Sequence, residues 1–289
     1  MKTIGLAPNP HKPDALQLAG EIATWLESRG LKPLLSPDAA AAVGMAHLGA
    51  DDERLARTDM LIILGGDGTM LRWSRLAAPH GTPMLGVNFG HYGFITEIDP
   101  DELQSSIERV LAGDYAVSER VVLRAVVITD DKPAATYYGL NDVVVSKGPL
   151  ARMVALHTFV NGKFIATYAA DGIIVASPTG STAYSLSAGG PVVHPDVSVL
   201  VITPVCPHTL NVRSLVVPDS EKVQIVGQAR EGEADLMLTL DGQLGQHLGC
   251  SDAVEIGKAE FAARLVQFDS QSFYDKLQTR LRWGERYST

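Results

Sequence analysis

The sequence predicts an α/β domain first, then an all-β, sandwich-like domain, with a C-terminal helix returning to the first. Three observations predict this arrangement. Up to about residue 116, short apolar runs alternate with segments of helical spacing, the signature of a layered parallel sheet. From Arg120 onward, strand follows strand with little room for helix. The last segment returns to helical spacing, with Phe273, Leu277 and Leu281 at i, i+4 and i+8. A single amphipathic helix cannot bury its stripe alone, so it is expected to pack on the first domain. The expected division is therefore 1–116 with 268–289, and 117–267.

Thr3 to Ala7 reads as the first strand, and the proline-rich stretch Pro8 to Pro13 as its exit loop. Asp14 can cap the helix that follows, whose stripe is Leu16, Ala19, Ile22, Ala23 and Leu26, and Arg29-Gly30 closes it. Leu31 to Leu35 is a second strand, and the alanine-rich stretch 39–50 is expected to be helical. The apolar run Asp59 to Leu64 is a central strand, and Met70, Trp73 and Ala77 mark the helix beyond it. Pro83 to Asn88 is another strand, and Asp101 to Leu111 a helix with Leu103, Ile107, Val110 and Leu111 on one side. In the second half, strands are expected at 121–128, 141–146, 173–177, 199–203, 215–217, 222–226, 235–240 and 253–256. Met153 to Val160 and Lys163 to Ala169 flank Asn161-Gly162, a strong type I′ hairpin signal.

Bulk composition excludes several classes of function. The chain has 289 residues, 46% apolar and 20% charged, ordinary for a soluble globular protein. Its net charge of −9 provides no overall field for nucleic acid or an acidic membrane. Cys206 and Cys250 make neither a disulfide framework nor a metal pattern, and Cys206 reads as a buried small hydrophobe. No apolar run reaches membrane-spanning length and no signal-peptide h-region opens the chain, so a cytoplasmic location is expected. Neither the dinucleotide fingerprint of a Rossmann fold nor a P-loop occurs, and the eight histidines lack metal spacing.

Two stretches carry chemistry. Gly65-Gly-Asp-Gly-Thr69 sits between the central strand and its helix, where open α/β sheets bind ligands. Its glycines let a phosphate approach the backbone and permit positive φ, and the helix start directs N–H groups at an anion. Asp67 opposes an anion's charge, which points to a proton acceptor for a hydroxyl or a holder of a bridging cation. The alternative is a tight turn with Asp67 or Thr69 as N-cap. The second stretch is Asp171 to Gly190, where Ser177, Thr179, Ser181, Thr182 and Ser185 gather hydroxyls that can read ribose and base edges. Ala183 leaves space there, and Tyr184 offers a ring for a flat base. The alternative is a hydroxyl-rich turn capping a helix, with Tyr184 in the core.

Together with Asn88 to Phe94, Leu140 to Val145, Asp171 to Pro191, Pro204 to Leu210, Arg213 to Pro218 and Leu240 to Gln243, the glycine turn resembles the NAD kinase family. The turn alone is shared with lipid kinases and phosphofructokinases; the block from Asp171 to Pro191 is far more specific. The resemblance implies transfer of the γ-phosphate of ATP, or of polyphosphate, to the 2′-hydroxyl of the adenosine ribose of NAD. It implies Mg²⁺ or another divalent cation, and a homodimer or homotetramer. It makes Asp67 the general base, with Gly66, Gly68 and Thr69 shaping the phosphate cradle. The loop 90–94 would border the adenine pocket. Asn141, Asp142, Asp171, Thr182, Ala183, Tyr184, Ser187 and Gln243 would bind NAD, Asp171 from across a subunit interface. Asp142 stands where the family usually has Glu, a carboxylate shorter by roughly 1.5 Å. Arg72, Arg75, Lys147 and Arg152 are candidate cationic helpers, and no dedicated metal ligands are identified. A lipid kinase sharing the turn, or a non-catalytic dinucleotide sensor, are the competing readings.

Overall fold

The computed structural model describes residues 1–90, 93–148, 154–209, 211–228, 236–249, 252–268 and 272–281. The chain divides into two compact units: residues 1–119 with 263–289, and residues 120–262.

The first unit opens with β1 (Thr3–Pro8), α1 (Pro13–Ser28), β2 (Lys32–Leu35) and α2 (Pro37–Ala42). It continues with α3 (Asp52–Ala56), β3 (Met60–Gly65), α4 (Asp67–Ala77), β4 (Met84–Asn88) and α5 (Leu103–Ala112). The strands lie in the order β2-β1-β3-β4, all parallel, the order that alternating strands and helices produce. β3 is buried at every residue, as a central parallel strand must be. Ile4, Leu6, Ile62, Leu64, Leu85 and Val87 pack against Ala19, Ile22 and Leu26 of α1 and Leu103, Ile107 and Val110 of α5.

Several local expectations need correction here. Lys12, not Asp14, is the N-cap of α1, and Asp14 lies in its first turn beside Pro13 at the helix start. Ala15 takes the fully buried first place expected of Leu16, which is half-buried, while Ala19, Ile22, Ala23 and Leu26 are buried as expected. The alanine-rich stretch makes only α2 and a 3₁₀ turn at Ala46–Leu48, since Gly44 takes a φ of 73° between them. None of Gly65, Gly66 and Gly68 has a positive φ. Gly65 is needed for space instead: a Cβ there would lie 2.3 Å from Thr69 Oγ1.

The second unit begins within β5 (Ala116–Thr129), followed by β6 (Lys132–Gly139), β7 (Asp142–Lys147), β8 (Val154–Val160), β9 (Lys163–Ala170) and β10 (Gly172–Ala176). Then come α6 (Tyr184–Ser187), β11 (Val199–Val205), β12 (Leu215–Pro218), β13 (Val223–Gln228), β14 (Leu236–Leu240), β15 (Leu244–Leu248) and β16 (Ala253–Gln267). One antiparallel sheet runs β12-β11-β10-β7-β14-β15. In the other, β13 pairs with β8 and with the start of β16, β8 with β9, and β5 with β6. Val143, Val145, Ile173, Val175, Ile202 and Leu238 of the first sheet share one core with Leu156, Val223, Ile225, Val254 and Ile256 of the second. That is the sandwich.

Asn161 and Gly162 both take positive φ, 48° and 73°, as the type I′ hairpin requires. β6 and β15 carry too few apolar residues to read as strands, and both escape the sequence pattern. Cys206 is exposed at a φ of 45°, contrary to the expectation of a buried hydrophobe. The last element, α7 (Phe273–Leu281), falls with the first unit. Leu277 is buried in it, whereas Leu281 is 38% exposed, so the expected stripe is shorter by one turn.

Candidate active site

In the first unit, β3 delivers the chain to Gly66, the N-cap of α4, and Asp67 and Thr69 form the first helical turn. The side chain of Asp67 does not cap this helix. Its Oδ2 accepts the N–H of Phe94 at 2.7 Å, and its Oδ1 those of Ile95 at 3.2 Å and Thr96 at 3.4 Å. A carboxylate offers roughly four lone-pair directions, so among the described residues about one remains unfilled. Gly93 makes this possible, because a Cβ there would fall 1.8 Å from Asp67 Oδ1. The N–H of Phe89 donates to Gly65 O at 2.7 Å, and Asn9 Nδ2 reaches Thr69 Oγ1 at 3.4 Å. Lys12 Nζ donates to the carbonyl of Phe89, bringing an ammonium to this loop. The sequence places Gly93 only within the loop 90–94 and Asn9 and Lys12 only within the exit loop, and gives none of them, nor the amides of 94–96, a part in holding Asp67. The prolines around Asn9 and Lys12 read only as a loop, and backbone donors leave no mark in a sequence.

Gly66 and Thr69 are half-buried and Gly68 is exposed. Arg72 is held by Asp52 at 2.8 Å. His91 and Tyr92 of the loop 90–94, and Arg152, lie outside the described residues.

In the second unit, Asp241 is the organising residue. Its Oδ1 accepts the N–H groups of Asn141 at 2.7 Å and Asp142 at 3.2 Å, and its Oδ2 that of Leu140 at 3.1 Å. Asp241 and Gly242 have φ of 51° and 64°, the type I′ turn between β14 and β15. An Asp-Gly turn signal was therefore present in the sequence, but nothing in it pointed to residues a hundred positions earlier. Asn141 Oδ1 is buried without a protein hydrogen-bond partner, and so is Thr179 Oγ1. Such acceptors are costly unless a donor from elsewhere reaches them. Asp142 is buried, and its carboxyl is pushed up from 3.8 to about 7, first by burial and then by the charge of Asp241.

The hydroxyl-rich segment is largely turned inward, which corrects its expected role. Ser177 Oγ donates to Leu140 O at 2.6 Å, Ser181 Oγ to Pro178 O at 2.7 Å, and Ser185 pairs with Thr203 at 3.0 Å. All three serines are fully buried, so they build the segment and leave none of these hydroxyls on its surface. The Ser177 N–H donates to Asn141 O at 2.9 Å, and a Cβ on Gly180 would lie 1.9 Å from that oxygen. The segment is thereby fixed against Asn141. Thr182 donates to Thr179 O at 3.2 Å, Ala183 is half-buried, Tyr184 is 47% exposed rather than in the core, and Ser187 is exposed. Gln243, in the Asp241 turn, is exposed at the same end of the sheet.

Asp171 is placed differently. The register pairs Ala176 with Asp142 and Gly172 with Ser146, so Asp171 lies at the far end of β10, roughly 13 Å or more along the strand. There it pairs with Lys147 at 2.8 Å. Among the described residues, no three His, Cys, Asp or Glu side chains gather as around a metal ion. No described helix is long and apolar enough to cross a membrane.

The ATP-NAD kinase N-terminal domain matches residues 4–115, and the ATP-NAD kinase C-terminal domain matches residues 140–268. The chain belongs to the NAD kinase family. Similar curated members include the NAD kinase of Moorella thermoacetica, 45% identical over 98% of this chain and 90% of its own length. The NAD kinase of Geobacter metallireducens is 44% identical over 99% of this chain and 100% of its own. Yeast NADH kinase complexed with NADH superimposes with a TM-score of 0.90 at 24% identity, covering 99% of this chain and 89% of its own. An NAD kinase from Archaeoglobus fulgidus in complex with ATP gives 0.73 at 24% identity, covering 98% and 99%. At that identity the two structures establish the fold. The family membership makes the protein a phosphotransferase, and the match over 140–268 covers what a lipid-kinase reading of the turn leaves out.

Proposed function

We propose that the protein transfers the γ-phosphoryl group of ATP to the 2′-hydroxyl of the adenosine ribose of NAD, giving NADP, with Asp67 as general base. The observation that carries this reading is the Asp67 carboxylate, fixed by three consecutive backbone N–H groups with about one lone pair left. That lone pair is suited to a hydroxyl proton. The hydroxyl oxygen then forms the new bond to phosphorus, the bond from phosphorus to the ADP oxygen breaks, and the proton passes to Asp67. Phosphoryl transfer has a loose transition state, so holding the base and acceptor in place counts for more than basicity.

Gly66, Gly68 and Thr69 shape the phosphate cradle in this reading, Gly65 keeping the turn tight against Thr69. Asn141 and Asp142 hold the adenosine ribose, whose hydroxyl donor answers the buried Asn141 Oδ1. Thr182, Ala183, Tyr184, Ser187 and Gln243 border the dinucleotide. Asp171, far along β10 from Asn141, serves the site of a neighbouring subunit in a homodimer or homotetramer. In this reading a divalent cation such as Mg²⁺ is carried on the nucleotide phosphates and water. When bound, that ion supplies charge neutralisation at the phosphates. Polyphosphate is the alternative donor, and the cytoplasm the expected compartment.

Purified protein with NAD, ATP and Mg²⁺, scored for NADP, tests the reaction, with polyphosphate and a lipid acceptor in parallel. Asp67→Asn is expected to keep NAD affinity within a few-fold and to lose about 10²–10⁴-fold in turnover. Wild-type turnover in that variant refutes the assigned base.

A further inference from the structure

Behind the amides that hold Asp67 lies a buried ion pair. Lys276 Nζ is 2.8 Å from Glu97 Oε2, and the two side chains are 7% and 3% exposed. Glu97 Oε1 accepts the N–H of Phe268 at 3.1 Å, and the Glu97 N–H donates to Gly86 O of β4 at 2.9 Å. Lys276 Nζ also lies 3.4 Å from the carbonyl of Thr96. Thr96 is thus engaged on both sides, its N–H on Asp67 Oδ1 and its C=O on the Lys276 ammonium.

Anchoring α7 does not by itself call for charges here. Burying two ions carries a desolvation cost that an apolar pair of similar volume avoids, and such replacements are often neutral or stabilising. What the charged pair adds is direction, because the ammonium and carboxylate fix particular peptide groups at hydrogen-bond distance. On one side the carboxylate holds the N–H of Phe268, ahead of α7; on the other the ammonium holds the carbonyl of Thr96, the residue whose own N–H donates to Asp67. We propose that Glu97 and Lys276 are positioning residues for Asp67: from α7 they hold the Thr96 carbonyl, and with it the 94–96 segment whose N–H groups keep the carboxylate in one orientation. This rests on the reading of Asp67 as the base.

The test is a cycle. Lys276→Met, and the double variant Glu97→Gln/Lys276→Met that removes both charges together, are made in the wild-type and Asp67→Asn backgrounds. Lys276→Met alone strands a buried carboxylate and can unfold the protein; the double variant keeps the question open to measurement. Turnover, KM for NAD and ATP, and thermal unfolding are measured for each. The expected result is a turnover loss of roughly 10–100-fold in the wild-type background, as for a small misplacement of a reacting group, with both KM values within about threefold. In the Asp67→Asn background the same substitutions change the residual rate by less than about twofold, because the residue they act through is gone. Equal losses in both backgrounds, or undiminished turnover in the folded double variant, overturn the proposal and leave the pair as an anchor of α7. Wild-type turnover in Asp67→Asn alone overturns the base assignment itself, and the clamp with it.

Discussion

Asp67 and Asp241 make the same local arrangement in different units, each carboxylate accepting three consecutive backbone N–H groups. Their surroundings differ. Asp67 is half-buried at the start of α4, whereas Asp241 is buried in a hairpin turn. In the first case the amides hold the carboxylate, leaving it in place for chemistry. In the second the carboxylate holds the amides, setting Asn141 and Asp142 at the head of β7. In the proposed function, one motif would serve turnover in one unit and ligand binding in the other.

Gly93→Ala is expected to break the first arrangement with the larger effect. The new Cβ would overlap the Asp67 carboxylate at 1.8 Å, and a side-chain end can move where a backbone cannot. The protein should still fold, with Tm lowered by a few degrees as the hydrogen bonds to the carboxylate weaken, keep its NAD affinity, and lose roughly 10–100-fold in turnover. Crowding that instead raised the KM for NAD with turnover intact would erase the distinction between the two sites. Asp241→Asn attacks the second arrangement. One accepting oxygen becomes an NH₂ facing N–H groups, which costs about 1–3 kcal/mol of stability. The expected kinetic result is a KM for NAD raised several-fold with turnover nearly unchanged, read from initial rates across NAD concentrations.

The contrast also marks where the sequence is legible. Asp67 lies between a pure apolar run and a helical stripe, so its turn is a local pattern and can be read. The alternation before residue 116 and the strand-rich middle are legible for the same reason: burial imposes a period on neighbouring residues. Asp241 works through amides a hundred positions away, and a turn signal cannot report such a partner. Gly93, Glu97 and Lys276 are likewise silent, since each matters only through what lies opposite it. The hydroxyls of 177–185 misled in the opposite direction. Their density suggested a ligand surface, yet Ser177 and Ser181 donate to carbonyls and Ser185 pairs with Thr203 inside the fold. Hydroxyl spacing cannot say which way a turn faces.

The smallest expected effect concerns Asp142, the residue that Asp241 both positions and repels. Its carboxyl titrates near 7 when folded against 3.8 in the unfolded chain, with burial the larger cause and the Asp241 charge the lesser. Between those values the folded state binds the proton more tightly than the unfolded state. The contribution is therefore fully present below about pH 4 and is lost as pH rises through about 7. Asp142→Asn keeps the shape and removes the titration. Relative to that variant, the wild type should lose stability as pH rises across this window, by a few kcal/mol at most, and then level off. Unfolding midpoints of both proteins from pH 4.5 to 8 provide the check. A difference that does not vary with pH, or one that grows in the wild type's favour, would show that Asp142 is ionised at little cost. In the Asp241→Asn background the dependence should shrink without disappearing, because removing the neighbouring charge leaves the burial. The same carboxylate that sets the Asn141–Asp142 backbone thus adds to the cost of ionising Asp142.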